Sequence, residues 1–420
     1  MAVKIVRNSI FDISKSLLME DDELRERAIE LAERYDSALS GAVALDEDAK
    51  VYPLVTGFIN RRLSLSKPIS FDTAMTYASN LIYLVNYLKK DVPVFNGSNR
   101  DDCLLSVTGT TIEMYLNHLR KKEKKSSQTI RNRDATYLAF FNTYLCEVLG
   151  SKAPIREDNP YENGKFKSAA PSKQLIEMCT VNELEALILC AKNERERALL
   201  QFIFDSGVRR SELPRISKAD IDQARAGTKD IYIVDDHTVS VPSDYGRIRI
   251  HGSKGRGQEL QTRNTIVSKA TLLRVSKYHS TPLYKKHSRK FGKDKPAFLN
   301  AAGNEWTAVA ITQLLTKLSR RAIKLGILKR RVSPHKLRHG YAVITMRSTD
   351  LGKDSIGRLL LIKSALGHKH LTTTEIYQAL PYETYDQLVD KLSGEAIYRY
   401  QIMEKLYKKS KLKVGLKDVK

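Results

Sequence analysis

A stretch without regular hydrophobic spacing divides the chain into two parts. Residues 151–174, SKAPIREDNPYENGKFKSAAPSKQ, contain three prolines and one glycine among many polar residues, whereas apolar residues on either side recur at helical intervals. Proline and glycine interrupt regular structure, and so polar a segment has little to bury. We therefore predict a linker over 151–176 between two separately folded parts.

The first part is predicted to be helical. Its acidic beginning, residues 1–60, carries one apolar stripe at 24–32 and is expected to form a helical N-terminal segment. A stronger stripe begins at Asp72, and further helices are expected at about 109–122 and 127–149. We assign 61–150 to a helical domain.

The second part combines helices with a small sheet. Thr180 and Glu183 match the pattern of a capping box before an apolar helix. Residues 231–265 cluster β-branched residues between Gly, Pro and Asp, which predicts short antiparallel strands. We assign 177–395 to this domain and 396–420, with eight Lys/Arg and two Asp/Glu, to a basic tail. The predicted fold class is mainly α with a small antiparallel β-sheet.

Net charge indicates the partner. The formal charge is +23 over 420 residues, although residues 1–50 hold twelve Asp/Glu against seven Lys/Arg, so the whole surplus lies after them. Such a surplus attracts polyanions, and nucleic acid is the expected partner. A generally basic, solvated surface is the alternative.

The chain shows no export or membrane pattern. Its apolar runs are short, and the start MAVKIVRNSIFDISKS lacks the apolar centre of a secretory signal. The four cysteines form no CxxC pair, which argues against a disulfide framework or a zinc ribbon. We expect a cytoplasmic, nucleoid-associated protein without membrane contact.

One basic run lies between two predicted helices of the first part. RKKEKKSSQTIRNR, residues 120–133, has seven basic residues around one acid, and Ser126 or Ser127 can cap the next helix. A solvated loop explains the run as well as a DNA backbone contact does. The predicted DNA-binding residues are Arg120, Lys121, Lys122, Lys124, Lys125, Arg131 and Arg133.

Two segments of the second part place single basic side chains at turns. In DSGVRRSEL, Arg209 follows the glycine that ends an apolar helix, and Glu212 is expected in the first turn of the next helix, where it can hold the guanidinium. In HGSKGRGQ, Lys254 lies between glycines, where it can reach a phosphodiester and donate a proton. A surface ion pair and an ordinary hairpin lysine are the alternatives.

The segment SPHKLRHG, 333–340, predicts a helix start that suits an anion. His335 and Arg338 are three residues apart, so both project from one face at the positive end of the helix. His335 and His339 can also be read as zinc ligands or packed histidines. Lys336 replaces the glutamate of HExxH, which disfavours zinc.

The segment SALGHKHLTTTEIYQAL, 364–380, places a histidine and a tyrosine near a helix end. The helix is expected to stop at Gly367, followed by His368, and Tyr377 falls in a short amphipathic helix. A single tyrosine among twenty usually serves packing.

Together these segments resemble the tyrosine recombinase (phage integrase) family. GVRRSEL is similar to its first arginine box (GLRxSEL), PHKLRHGYA to its HxLRH box, and ALGHKHLTTTEIY to its LGHxxxxTTxxY box, in the same order, and the resemblance covers about 60–395. Two positions depart from the family: Gly340 stands where Thr or Ser is usual, and the lysine turn reads SKGRGQE rather than GKGxKxR. The resemblance implies a catalytic set of Arg209, Lys254, His335, Arg338, His368 and Tyr377, supported by Glu212 and His339.

The resemblance also implies a reaction that needs neither metal nor cofactor. Tyr377 would attack the scissile phosphate and form a 3′-phosphotyrosine, while Arg209 and Arg338 bind its non-bridging oxygens and Lys254 serves as general acid. His335 and His368 would contact the phosphate or manage protons.

The family further implies a two-domain clamp on double-stranded DNA and a homotetramer on two DNA sites, with or without an accessory DNA-bending protein. Residues 383–395 are the candidate for a helix exchanged between neighbours. Three other functions are weighed: a type IB topoisomerase, a non-catalytic DNA-binding regulator, and a metal-dependent nuclease, the last disfavoured by the lack of carboxylate clusters.

Overall fold

The structure is mainly helical with small antiparallel sheets, as the spacing of apolar residues predicts. The computed structural model describes residues 2–9, 39–148, 153–166, 176–228, 230–234, 237–254, 260–352, 354–368, 370–377 and 397–412. They divide into two units, one formed by the described residues up to 166 and one by those from 176 onward, and each unit has a hydrophobic core of its own. Among the described helices, none is both long and apolar enough to cross a lipid bilayer.

In the first unit, two antiparallel strands precede helices that share one core. Hydroxyl side chains start the last three helices: Ser70, Thr108 and Ser126 each accept a hydrogen bond from the backbone N–H three residues later, at 3.2–3.3 Å. The predicted cap at Ser126 is therefore confirmed. The elements are β1 (Ala2–Ser9), β2 (Leu39–Leu45), α1 (Pro53–Leu63), α2 (Phe71–Asp91), α3 (Gly109–Lys121) and α4 (Ser127–Phe140), which continues as a π-helical turn over Phe141–Leu145.

The structure corrects the prediction of a helical segment over 1–60. β1 and β2 pair as antiparallel strands, because AVKIVRNS and LSGAVAL carry closely spaced Val, Ile and Leu residues that favour extended backbone. α1 crosses the expected boundary at 60/61, and its buried residues belong to the same core as α2, α3 and α4. The apolar stripe at 24–32 lies outside the described residues.

The predicted linker is also partly wrong, because its described portion packs onto the first unit. Tyr161 is buried, its hydroxyl donates to Asp134 at 2.9 Å, and its ring stacks on Phe141. Arg156 donates to the Leu104 carbonyl at 3.1 Å. These two side chains hold the segment on the first unit. They follow no periodic spacing, so the composition of the segment does not reveal them.

The second unit surrounds two short hairpins with helices. The capping box is confirmed, since the Thr180 hydroxyl accepts from Glu183 N–H and the Glu183 carboxylate accepts from Thr180 N–H. The elements are α5 (Val181–Cys190), α6 (Glu194–Ser206), α7 (Lys218–Ala226), β3 (Asp230–Val234), β4 (His237–Val241), β5 (Tyr245–Lys254), β6 (Leu260–Ser268), α8 (Lys269–His279), α9 (Pro282–Ser288), α10 (Ala308–Lys324), α11 (Pro334–Arg347), α12 (Ser355–Leu366), α13 (Thr372–Glu375) and α14 (Arg399–Ser410).

α14 corrects the prediction of a basic tail over 396–420. Its buried residues Ile402, Met403 and Leu406 belong to the main core of the second unit. Arg399 is also buried and forms an ion pair with Asp205 at 3.3 Å. The count of lysines concealed an apolar stripe at helical spacing, so this helix is an integral part of the domain.

Candidate active site

Arg209 lies in a tight turn directly after α6. The helix ends at Gly207, whose φ of +61° is left-handed and where a Cβ would lie 2.4 Å from the Tyr341 ring. The backbone N–H and the guanidinium of Arg209 both donate to Glu212 at 2.8 Å. The helix expected at Glu212 does not form, because this carboxylate closes the turn and a proline-containing 3₁₀ turn, Leu213–Arg215, follows.

Glu212 is buried between two arginines. Besides Arg209, it accepts a hydrogen bond at 2.6 Å from Arg263 of β6, whose guanidinium also donates to the Ala365 carbonyl. Burial raises the pKa of Glu212, but the two arginines outweigh it and hold the pKa at about 2. Sequence reasoning missed Arg263. It stands in a polar stretch, QTRNT at 261–265, of the strand after the lysine turn, so apolar periodicity gave no signal for its burial.

Arg338 is buried in α11 beside the same turn. Its guanidinium donates to the Gly207 carbonyl at 2.6 Å and to the Leu366 carbonyl at the end of α12. Burial, with the neighbouring charges of Arg209 and Arg263, lowers the pKa of Arg338 to about 9. The guanidinium therefore remains charged at neutral pH.

The two histidines of α11 lie edge to face, with ring centroids 4.3 Å apart. Ser333 caps the start of this helix as predicted, and its hydroxyl accepts from Lys336 N–H. His335 is exposed, whereas His339 is half-buried. Within the described ranges, no three His, Cys, Asp or Glu side chains are grouped to hold a metal ion.

Tyr377 is only 2% exposed and lies among imidazoles. Its hydroxyl is hydrogen-bonded to Nδ1 of His339 at 2.8 Å, and its ring stacks on His368 with centroids 6.4 Å apart. Burial raises the pKa of Tyr377 to about 12, although nearby Arg338 acts in the opposite direction. In this arrangement the phenol is protonated and covered.

His368 follows the left-handed Gly367 that ends α12, as predicted. Its Nδ1 is hydrogen-bonded to the Thr374 hydroxyl at 2.9 Å, an interaction for which the threonine run was the only signal. Burial and nearby cations, Arg338 first, lower the pKa of His368 to about 4, and burial together with His335 does the same for His339. Both rings are neutral at pH 7.

Gly340 departs from the usual family residue for a steric reason. A Cβ at this position would lie 2.4 Å from the Cys179 carbonyl oxygen and 2.5 Å from the Phe204 ring. Threonine or serine would not fit unless the backbone of α11 moved.

The structure brings five of the six predicted catalytic residues into one site: Arg209, His335, Arg338, His368 and Tyr377. Lys254 ends β5, where its backbone pairs with Leu260, and residues 255–259 of the turn lie outside the described residues. Residues 383–395, the candidate exchange helix, also lie outside them.

Arg133 does not belong with the predicted DNA-binding residues. It is 8% exposed, donates to the Tyr115 hydroxyl at 2.6 Å, and lies over the Tyr83 ring. Arg133 is a packing residue of the first unit because its position in α4 faces α2 and α3. The exposed members of the run are Arg120, Lys121, Lys122, Lys124, Lys125 and Arg131.

The chain is similar in sequence to proteins of one family. Residues 177–384 match the phage integrase family model. The chain is 26% identical over 349 residues to tyrosine recombinase XerC of Syntrophus aciditrophicus, covering 80% of this chain and 96% of that protein. It is 25% identical over 275 residues to XerC of Anoxybacillus flavithermus, covering 65% and 78%.

Solved structures share the fold. XerH site-specific recombinase bound to its difH substrate matches with a TM-score of 0.50 and 17% identity, covering 90% of this chain and 92% of that one. The Tn1549 transposon integrase in complex with a circular intermediate DNA matches with a TM-score of 0.51 and 15% identity, covering 80% and 96%. The family-model match places residues 177–384 in the tyrosine recombinase (phage integrase) family, and the likeness to XerC extends over 80% of the chain.

Proposed function

We propose that this protein cleaves and rejoins double-stranded DNA at specific sites through a 3′-phosphotyrosine at Tyr377, in the service of a mobile genetic element. The observation that carries the proposal is the position of Tyr377, hydrogen-bonded to one neutral histidine, stacked on another and close to the charge of Arg338. A buried structural tyrosine needs only a hydrogen-bond partner for its hydroxyl. A nucleophile also needs a group that takes its proton and a cation close to the phosphate that it attacks.

Charge stabilisation is the first requirement of phosphodiester cleavage. Arg209 is 30% exposed and anchored by Glu212, so its guanidinium can meet a phosphate from solvent while its orientation is fixed. Arg338 supplies a second charge from the buried side. These two side chains are the proposed ligands of the non-bridging oxygens.

Removal of the phenolic proton is the second requirement. The neutral His339 ring accepts the phenolic hydrogen bond when its own proton is on Nε2. Transfer of the phenolic proton to His339 would leave a phenolate oxygen that attacks the phosphate bound by Arg209 and Arg338, while the departing 5′-oxygen takes its proton from Lys254. We therefore assign His339 to orienting and deprotonating Tyr377, and His335 and His368 to contacts with the phosphate.

We propose double-stranded DNA as substrate, a two-domain clamp as the bound form and a homotetramer on two duplexes as the active assembly, acting at the nucleoid in the cytoplasm. The match to XerC leaves a fifth of this chain uncovered, and this extra length supports a mobile-element role. Footprinting on DNA that flanks the gene would identify the site.

The function is tested by incubating the protein with that DNA in EDTA without ATP. We expect a covalent protein–DNA adduct on nicked suicide substrates and strand exchange between two sites. Relaxation of supercoiled DNA without strand exchange would favour a topoisomerase. Binding without any adduct would favour a DNA-binding regulator, and cleavage abolished by EDTA a nuclease.

Salt dependence tests the basic run. We replace Lys121, Lys122, Lys124 and Lys125 by Gln and measure the DNA-binding constant K at several salt concentrations. The slope of log K against log salt should become shallower by about 0.9 for each phosphate that the protein no longer neutralises. The control removes the same number of charges elsewhere, by replacing Lys405, Lys408, Lys409 and Lys411 with Gln. This variant should retain the native slope. If the 121–125 variant also kept the native slope, this run would be a solvated loop.

Lys254 is tested with a substrate whose bridging 5′-oxygen is replaced by sulfur. Sulfur leaves without a proton, so Lys254→Ala should be slowed by roughly 100-fold on ordinary DNA and recover much of its rate on the sulfur substrate. Arg256→Ala is the control, because an arginine is too weak an acid to replace the lysine. Equal slowing of Lys254→Ala on both substrates would remove it from the acid role.

A further inference from the structure

Two buried arginines join the same two segments of the candidate active site. Arg338 connects the Gly207 carbonyl, before the Arg209 turn, with the Leu366 carbonyl at the end of α12. Arg263 connects Glu212, within the turn, with the Ala365 carbonyl one residue earlier in α12. Each arginine therefore donates to a carbonyl at the C-terminal end of α12, which is the negative end of the helix and stabilises a cation.

Each bridged segment carries a predicted catalytic side chain. The turn carries Arg209, and α12 leads through Gly367 directly into His368. We propose that Arg263 is a positioning residue of the cleavage reaction, which holds the Arg209–Glu212 pair and the His368 segment in register. The proposal rests on the proposed function and adds a residue to it.

Arg263 is suited to positioning rather than to binding the phosphate itself. Of the two buried arginines, Arg338 is the one whose charge acts on Tyr377, whereas Arg263 donates to Glu212 and to the Ala365 carbonyl. Arg209, by contrast, is 30% exposed. Arg263 therefore acts through Glu212, because it donates to the same carboxylate oxygen that accepts from the Arg209 backbone N–H.

The positioning role of Arg263 can be measured through the pKa of Glu212. The charged groups facing it are Arg209 from its own turn, Arg263 from β6 and Arg338 from α11. Burial raises the pKa of Glu212 and Arg263 is the strongest opposing influence. Without Arg263 the carboxylate should take up a proton at a higher pH and release its hold on Arg209.

The test compares Arg263→Met with Arg274→Met, which removes a fully buried arginine that pairs with Glu194 at 2.6 Å. DNA affinity and single-turnover adduct formation at saturating protein are measured from pH 5 to 8. We expect Arg263→Met to bind DNA within threefold of the native protein. Its cleavage should be roughly 10- to 100-fold slower at pH 6 and recover as pH rises, since deprotonation restores the Glu212 acceptor.

Two further variants assign the effect. Adding Glu212→Gln to Arg263→Met should abolish the new pH dependence, because the titrating group is gone. Arg263→Lys keeps a charge near Glu212 but cannot make both fork contacts, so it should remain slower than the native protein with a smaller pH dependence. Arg263→Lys carries the test if the Met variant does not fold.

Three results would overturn the proposal. They are a native cleavage rate in both Arg263 variants, a loss of cleavage with a pH profile of unchanged shape, and an equal loss in Arg274→Met. If the native protein forms no adduct at all, the proposed function itself fails, which is distinct from failure of the Arg263 role.

Discussion

Tyr377→Phe is expected to lose covalent adduct formation by roughly 10⁴-fold or more, because the substitution removes the attacking oxygen. DNA affinity should stay within about twofold, since the phenol is buried and phosphate contacts elsewhere dominate binding. Loss of the hydrogen bond to His339 should cost about 1 kcal/mol of stability. Gel-shift and adduct assays on one suicide substrate measure both effects.

The matched control is Tyr341→Phe. Tyr341 is also buried and lies in the same small core as Tyr377, but no nucleophilic role is assigned to it. It should form adducts at close to the native rate. Adducts formed by Tyr377→Phe, or an equal loss of adducts in Tyr341→Phe, would contradict the assignment of the nucleophile.

Arg338→Ala is expected to slow cleavage by roughly 10³-fold, since it removes a buried positive charge from the phosphate site. It should also lower stability by about 2–4 kcal/mol, because the Gly207 and Leu366 carbonyls lose their partners. Single-turnover cleavage and denaturant unfolding measure the two effects separately.

A methylphosphonate at the scissile position separates catalysis from folding. This substrate carries one negative oxygen fewer, so it depends less on the missing guanidinium, and Arg338→Ala should be impaired less on it than on ordinary DNA. Arg399→Ala is the control, as it removes a buried arginine that pairs with Asp205 and should be impaired equally on both substrates. The same impairment of Arg338→Ala on both would make Arg338 a structural residue.

Motifs at element ends could be interpreted from the sequence because each residue there has a local physical role. Gly207 and Gly367 terminate helices in left-handed conformation, and Thr180 and Ser333 cap the helices that follow them. Capping and helix termination depend on a few neighbouring residues, so these starts and stops were predictable.

Contacts between distant segments could not be predicted in this way. Arg263 meets Glu212 across 51 residues and Ala365 across 102, and neither partner is marked by spacing. Arg399 and Tyr161 were likewise assigned to a tail and a linker because their burial depends on tertiary partners. Arg133 was counted with exposed neighbours although its position in the helix faces inward.

The central claim is tested most directly by isolating the adduct from a suicide substrate, digesting protein and DNA, and sequencing the modified peptide by mass spectrometry. The expected result is one nucleotide joined through its 3′-phosphate to the Tyr377 oxygen, with a free 5′-hydroxyl on the other DNA end. A phosphate joined to another residue, or a 5′-linkage, would contradict it.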